Sequence, residues 1–476
     1  MAPSAARRPA PTRRFAMLSP AISETRYPTF DVLVAGGGLA GLTAALAAAR
    51  SGARTILIER SGALGGIGVS GATGLHTFYN IYGATPGAER TRTVRGIPQE
   101  LVDRVRALGG GLGHVPLERG ADFVSMLTPV DPEVFRAAAA RACLEAGVHL
   151  LLHTVVEGLI PGDAAIDGLL VWNKAGRSLI RARQYIDCTG DGDLAAWAGA
   201  PAVHFAAGDP GAYSAGFTFR LCNVDLQALE ADLERRGAIR QLAHAVKPHT
   251  AQPDLVRLGI DVRRLREQGI EGPLGGFLSS SVRPREITYC NCVNYGPNDG
   301  LDPDALSAAE TDLRERMLAV ADMFRRHLAG CEGCYPAGAA PAAGQRRARA
   351  IRAEYDITQE DCTSARRFDD AVACFSFIDN PHHFVRDAGY YQIPYRALLP
   401  QGVDNLLMAG RMMTVELVAH NSTRNTVCCM ICGQAAGTAA ALAVAAGQAP
   451  RALDVAALQG RLRADGVLLE AVPEPL

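Results

Sequence analysis

The sequence predicts an α/β fold in which a parallel-sheet domain is interrupted by an inserted α+β region, and three observations predict it. Residues 31–60, DVLVAGGGLAGLTAALAAARSGARTILIER, read as a short apolar strand, a glycine turn, an alanine-rich helix and a second strand ending in an acid, which is one βαβ unit. Beyond Asp131-Pro132, the run EVFRAAAARACLEAGVHLLLHTVVEGL reads as a capped helix, a stop at Gly147 and a strand pair. From His204 to about Tyr391 the βαβ rhythm stops, and sheet segments such as AGFTFRL and REITYCNCVNY alternate with a long amphipathic helix from about Pro303 to Leu328. With 476 residues, 48% hydrophobic and 50 glycines, the chain can bury a large core and is expected to fold as two intertwined domains.

In the first unit, Gly36, Gly38 and Gly41 follow the G-x-G-x-x-G spacing: the first makes the tight turn, the second admits a pyrophosphate, and the third lets helix and strand pack closely. The helix start at Leu39 and Ala40 then faces the anion. Glu59 closes the second strand, where a carboxylate can accept both ribose hydroxyls and would repel a 2′-phosphate. The alternative is a βαβ unit with merely tight turns, and the presence of every flanking element argues for the dinucleotide.

The run Glu59-Arg60-Ser61-Gly62-Ala63-Leu64-Gly65-Gly66 resembles the flavoprotein extension of this motif, with a glycine pair soon after the acid. Further resemblances are DCTGDGDLAAWAG from Asp187 to Gly199 and NLLMAGRMMTVELVAHNSTRNTVCCMICGQAAGTAAALA from Asn405 to Ala443. Together they resemble the FAD-dependent oxidoreductase family, glutathione-reductase-type Rossmann flavoproteins distantly similar to the succinate dehydrogenase and fumarate reductase flavoproteins. The resemblance implies FAD, held by a Rossmann-like FAD-binding domain with an inserted α+β substrate domain. It implies cofactor contacts from Gly36, Gly38, Leu39, Ala40, Gly41, Glu59, Arg60, Gly65 and Gly66, from Val155 and Val156 beside the adenine, and from Thr189, Gly190 and Asp191. Late in the chain it adds Gly410, Arg411, Gly433, Gln434 and Ala435. The corresponding division is a disordered basic tail (1–28), a discontinuous FAD-binding domain (29–75, 130–203 and 395–450), a substrate or cap domain (76–129 and 204–394) and a C-terminal segment (451–476).

The loop from Val69 to Thr85 should border the flavin, and its His76 is a candidate proton donor or covalent attachment point, against the blander reading of a histidine hydrogen-bonded in a polar loop. Cys290-x-Cys292 and Cys331-x-x-Cys334 could supply four thiols to a metal, or Cys331 and Cys334 a redox pair. Small buried cysteines are the commoner outcome, and no metal is expected. Residues 341–370 match a family block imperfectly: relatives commonly show Arg-Glu where this chain has Arg346-Arg347, and Arg352 stands at a commonly small position. Asn380-Pro381-His382-His383 and the stretch from Tyr390 to Arg396, with Tyr391 as a further candidate, lead back to the cofactor domain. His420-Asn421-Ser422-Thr423-Arg424 is similar in spacing to the segment by which succinate dehydrogenase and fumarate reductase flavoproteins hold a substrate carboxylate. The resemblance thus makes His420 and Arg424 the leading catalytic candidates, the alternative being a capping histidine and a structural ion pair.

A formal net charge of −1 argues against broad attraction to nucleic acid or anionic lipid, and Lys174 and Lys247, the only lysines, leave little room for Schiff-base chemistry. Twelve cysteines without a convincing secretory signal, after an Arg-rich start that only faintly resembles a twin-arginine signal, predict reduced thiols in a cytoplasmic protein. The charge-free runs Val32 to Ala49 and Thr426 to Pro450 are long enough for membrane spans, but Ala and Gly dominate both, which favours helices buried under a cofactor. With one dinucleotide fingerprint, electrons should come from a small polar, even anionic, substrate by hydride transfer to flavin N5 and leave to oxygen, a quinone or a carrier protein. A homo-oligomer is compatible with this reading. The rivals are a thiol- or metal-linked electron-transfer flavoprotein and a non-catalytic flavin-binding protein.

Overall fold

The computed structural model describes residues 22–23, 26–70, 79, 91–120, 125–380, 382–386 and 389–473. His76, most of the loop from Val69 to Thr85 and most of the 1–28 tail lie outside them.

Five parallel strands form the central sheet in the order Leu406–Met408, Ala182–Asp187, Phe30–Ala35, Thr55–Ile58, His149–Leu151. The inner strands Phe30–Ala35 and Thr55–Ile58 are largely apolar and buried, as strands covered on both faces require. The helix Leu39–Arg50 returns the chain from the first strand to the second, and the 21-residue helix Thr426–Ala446 lies along it. The two backbones meet through small residues: a Cβ added to Gly433 would come within 2.1 Å of the Ala40 carbonyl oxygen, and one on Gly437 within 2.1 Å of that of Ala44. Thr43 Oγ1 donates to the Met430 carbonyl at 2.7 Å across the same seam. Among the described residues, Thr426–Ala446 is the one helix long and apolar enough to cross a membrane by length and composition, and 89% of its apolar window is buried inside the molecule.

The local signals read from sequence recur as structure. Asp131 caps the helix Pro132–Glu145 by accepting from Glu133 N–H at 2.9 Å, and Gly147, at φ +76°, ends that segment before the next strand. A three-stranded antiparallel sheet, Val155–Pro161, Ile166–Asn173 and Gly176–Ile180, then leads back to the central strand Ala182–Asp187.

The inserted region is a six-stranded antiparallel sheet ordered Ile239–Val246, Pro253–Ile260, Phe277–Ser280, Glu286–Pro297, Ser214–Cys222, Tyr335–Ala339. The helix Pro303–His327 packs on it, with Phe324 against Phe277 at 5.4 Å between ring centroids. This sheet has its own core, including Phe217, Leu229, Ile287 and Leu313. A ribbon of Ala202–His204 paired with Arg349–Ile351 ties the insert to the nucleotide-binding body.

The domain division needs correction in three places. The helix Ile97–Ala107 and the stretch 351–394 were expected in the cap, yet Leu101, Val105, Ile357, Val372, Phe375 and Tyr391 belong to the core of the nucleotide-binding body. Residues 451–473 of the expected C-terminal segment join it as well, through Leu458 and Leu462 of the helix Val455–Ala464. Each carries an apolar face that only this body covers, so burial overrides their position in sequence.

Candidate cofactor and substrate site

The glycine turn sits at the carboxyl end of the central strand Phe30–Ala35 and opens the helix Leu39–Arg50. Gly36 adopts φ +99°, and a Cβ there would come within 2.4 Å of the Cys188 carbonyl oxygen. At Gly41 a Cβ would lie 1.8 Å from the Gly36 carbonyl oxygen. Gly38 differs: its backbone is extended (φ −66°, ψ −176°), and an added Cβ would meet nothing within 4 Å. The outer glycines are therefore demanded by packing, whereas the middle one keeps open space in front of the turn.

That helix has no side-chain cap and no acid in its first turn, so its leading N–H groups are free for an anion. Gly65 and Gly66, both at positive φ, bring the following loop against the turn, where Gly65 N–H donates to the Gly37 carbonyl at 2.9 Å. Glu59 accepts from Gly37 N–H and Ser61 N–H, both at 2.7 Å, which fixes the carboxylate while leaving lone pairs for ribose hydroxyls. Arg60 is exposed beside it. Thr154 N–H donates to the Glu59 carbonyl at 3.0 Å, so the strand that begins at Val155 (42% exposed) and Val156 starts beside the acid.

The second segment is organised by Asp187, fully buried at the end of its central strand. It accepts from Thr189 N–H, Thr189 Oγ1 and Ala195 N–H at 2.8–3.0 Å, yet burial pushes its carboxyl up to about 6. Gly190, at φ +91°, makes room for Arg411, whose guanidinium would lie 2.9 Å from an added Cβ. Arg411 pairs with Asp191 at 2.6 Å, and Gly410 enters that turn at φ +136°. Asp191 Oδ1 and Arg411 Nε are buried without a partner. An open glycine turn, an uncapped helix start, a held acid on the second strand and these unspent polar atoms fit the diphosphate and ribose of FAD.

Near this turn lies an unusually basic cluster. His420 is fully buried on the short helix Leu417–Thr423, and its Nε2 lies 3.1 Å from the Arg346 carbonyl oxygen. A carbonyl can only accept, so Nε2 carries the proton and Nδ1, buried without a partner, presents a lone pair. Burial first, then Arg424, Arg347 and Arg411, hold the imidazole well below its usual range, so it is neutral. Tyr213 lies 6.2 Å from its ring, donates its hydroxyl to Asn421 Oδ1 and stacks under Arg424 at 5.3 Å.

Arg424, expected to face substrate, is ion-paired with Asp379. Arg346 donates to the Ser214 carbonyl and hydroxyl at 2.7 and 2.9 Å and to Asn294 Oδ1 at 2.9 Å. Arg347 lies 3.6 Å over the Phe205 ring and donates to the carbonyls of Gly211 and Val415. Burial pushes both guanidinium groups down to about 10. Sequence reasoning noted this arginine pair within a block whose relatives bring basic residues toward the active-site region, but did not make the pair a site candidate, and it missed Asp379, Tyr213 and Phe205.

Other expected positions have structural partners. Gly433 serves the helix seam, Ala435 is buried in the same helix, and Gln434 Oε1 accepts from Ile97 N–H at 2.8 Å, capping the neighbouring helix. Tyr391 is buried with its hydroxyl 2.6 Å from Ser422 Oγ, and His382 is exposed. Cys290, Cys292, Cys331 and Cys334 are all buried in the apolar core of the inserted sheet. Among the described residues, no group of three or more His, Cys, Asp or Glu side chains is arranged to hold a metal ion.

The parallel sheet, the open glycine turn and the acid-ended second strand define a dinucleotide-binding flavoprotein of Rossmann type. Residues 31–462 match the profile of the FAD-dependent oxidoreductases, and the chain belongs to that family, with FAD as its cofactor. Thiamine thiazole synthase of Methanococcus vannielii is 30% identical over 175 residues, covering 34% of this chain and 56% of that enzyme, so the chain spans about half the length of this curated relative. Among solved structures, a geranylgeranyl bacteriochlorophyll reductase-like protein from Thermoplasma acidophilum shares 13% identity, with 92% of this chain and 82% of that chain covered at a TM-score of 0.44. GidA from Aquifex aeolicus shares 14%, with 94% and 68% covered at 0.45.

Proposed function

We propose that the protein dehydrogenates or oxidises a small polar metabolite. FAD, when bound, supplies the acceptor for the hydride that the substrate C–H bond gives up. The observation that carries this reading is His420, whose neutral ring keeps a bare Nδ1 amid Arg346, Arg347, Arg411 and Arg424. Such a nitrogen accepts the proton that a hydroxyl or amine sheds as its carbon is oxidised, and the nearby positive charge stabilises the developing anion. Gly38 and the helix start behind it hold the diphosphate, Glu59 the ribose, and Val155 and Val156 border the adenine. With one dinucleotide fingerprint in the chain, the electrons pass on to oxygen, a quinone or a carrier protein.

The test is an anaerobic screen of hydroxy acids, amino acids, polyols and amines against the purified holoprotein, following flavin absorbance. Bleaching by one of these classes supports the proposal. Flavin that is bleached by reduced nicotinamides or dithiols and by no metabolite would refute it.

A further inference from the structure

We infer that His244 is a pH-sensitive clasp between the edge of the inserted sheet and a segment of chain that belongs to the nucleotide-binding side. Between the helices Ile97–Ala107 and Pro132–Glu145 the chain forms a short strand pair, Val115–Pro116 with Met126–Leu127. Val115 and Leu127 share a small core with Ala243 and Val256 of the inserted sheet. The residues after Pro116 run along the edge strand Ile239–Val246: Glu118 N–H donates to the Leu242 carbonyl at 3.0 Å, and Leu242 N–H donates to the Arg119 carbonyl at 3.2 Å. The approach is so close that a Cβ on Gly120, at φ +77°, would come within 2.3 Å of the Arg240 carbonyl oxygen.

His244 lies on this seam with a carboxylate at each ring nitrogen. Its Nδ1 is 3.0 Å from Glu118 Oε2, and its Nε2 is 2.9 Å from Glu230 Oε2 on the helix Leu226–Arg235. A carboxylate only accepts, so both contacts are hydrogen bonds only when each nitrogen carries a proton. A neutral ring has one N–H and turns a bare lone pair toward one of the two acids. Burial opposes the charged ring, but the hydrogen bonds to Glu230 and Glu118 outweigh it and raise the imidazole above its ordinary range. The clasp is therefore whole below about pH 6.5, where a free imidazole is also protonated, and is lost as pH rises through the raised value. The other charged groups beside the ring are Arg119 and Glu234, paired with each other at 2.8 Å. Across the sheet His244 faces Leu255, and the adjacent Asp254 is taken by Lys247 at 2.9 Å. The Arg119–Glu234 pair, and the Asp131–Arg283 pair at 2.7 Å that also joins the insert to the body, keep their charges across neutral pH, so it is His244 that makes this seam respond.

The experiment is hydrogen–deuterium exchange of the holoprotein between about pH 5.5 and 8.5, corrected for the intrinsic change of exchange rate with pH, on peptides spanning 115–120 and 239–246. Protection there should fall about threefold or more toward the alkaline end, the scale of losing two partly exposed ionic contacts, while the central strand Phe30–Ala35 does not change. His244→Gln keeps a donor but cannot take a charge, and should abolish the pH dependence. Glu230→Gln leaves the backbone seam untouched and should lower the midpoint of the His244 ring, read from its NMR resonance. If His244→Gln does not fold, the midpoint in Glu230→Gln decides. Protection that is flat with pH in the wild type, a pH dependence that survives in His244→Gln, a wild-type midpoint at or below about 6.5, or a midpoint unmoved in Glu230→Gln would overturn the inference.

Discussion

Replacing Gly38 with valine separates the cofactor from the fold. Gly38 is extended and faces open space, so valine needs neither a positive φ nor a neighbour's retreat. The folded protein should lose about 1 kcal/mol, the scale of a poorer residue at a helix N-cap. FAD is affected far more, because the isopropyl group fills the approach of the diphosphate to the Gly38–Ala40 backbone. Losing two hydrogen bonds to a charged group costs about 3 to 6 kcal/mol, or roughly 10²- to 10⁴-fold in affinity. Gly41→Ala is the internal contrast: its Cβ would overlap the Gly36 carbonyl at 1.8 Å, so the fold itself should lose about 3 kcal/mol or more. The assay is fluorescence titration of apoprotein with FAD, alongside thermal unfolding of each apoprotein. Wild-type affinity in Gly38→Val, or an apoprotein as unstable as Gly41→Ala, would refute the reasoning.

Further outcomes are expected at the ribose, at the buried histidine and among the thiols. Glu59→Ala should weaken FAD by about 1 to 3 kcal/mol, and unchanged affinity in the same titration would place the ribose elsewhere. His420→Ala should slow anaerobic flavin reduction roughly 10²-fold with FAD content intact, and stopped-flow rates equal to wild type would remove His420 from the chemistry. Because His420 is held well below its ordinary value, the unfolded chain binds its proton first as acid is added. Its contribution to stability is whole above about pH 6.5 and is lost as pH falls, by at most about 1.4 kcal/mol per pH unit. Asp187, raised to about 6, works in the opposite sense, so the measurement is the difference between wild type and His420→Gln in urea unfolding at several pH values. An identical pH slope in the two would contradict a buried neutral imidazole. Cys331→Ser with Cys334→Ser should keep flavin and turnover while losing about 1 to 3 kcal/mol, since two hydroxyls enter an apolar core. Loss of turnover in a variant that still binds FAD would restore a redox role to the pair.

Sequence alone determined what is encoded locally. The strand, glycine turn, helix and acid of residues 31–60 lie within one contiguous stretch, where Gly41 answers a constraint from within that unit, Gly36 one from Cys188 beside it, and Gly38 keeps open space. The cap at Asp131 and the stop at Gly147 are likewise readable because capping partners lie within a few residues. Tertiary structure decided what depends on distant chain segments meeting. Gln434 Oε1 finds its partner only when the Ile97–Ala107 helix docks on it, and Arg424 is paired with Asp379, 45 positions away. Arg346 meets His420 across 74 positions, and that meeting sets the tautomer of a buried ring. Periodicity and spacing report which face of an element is apolar and where its ends lie. They do not report which charge stands opposite which, because burial and pairing of charges belong to the assembled core.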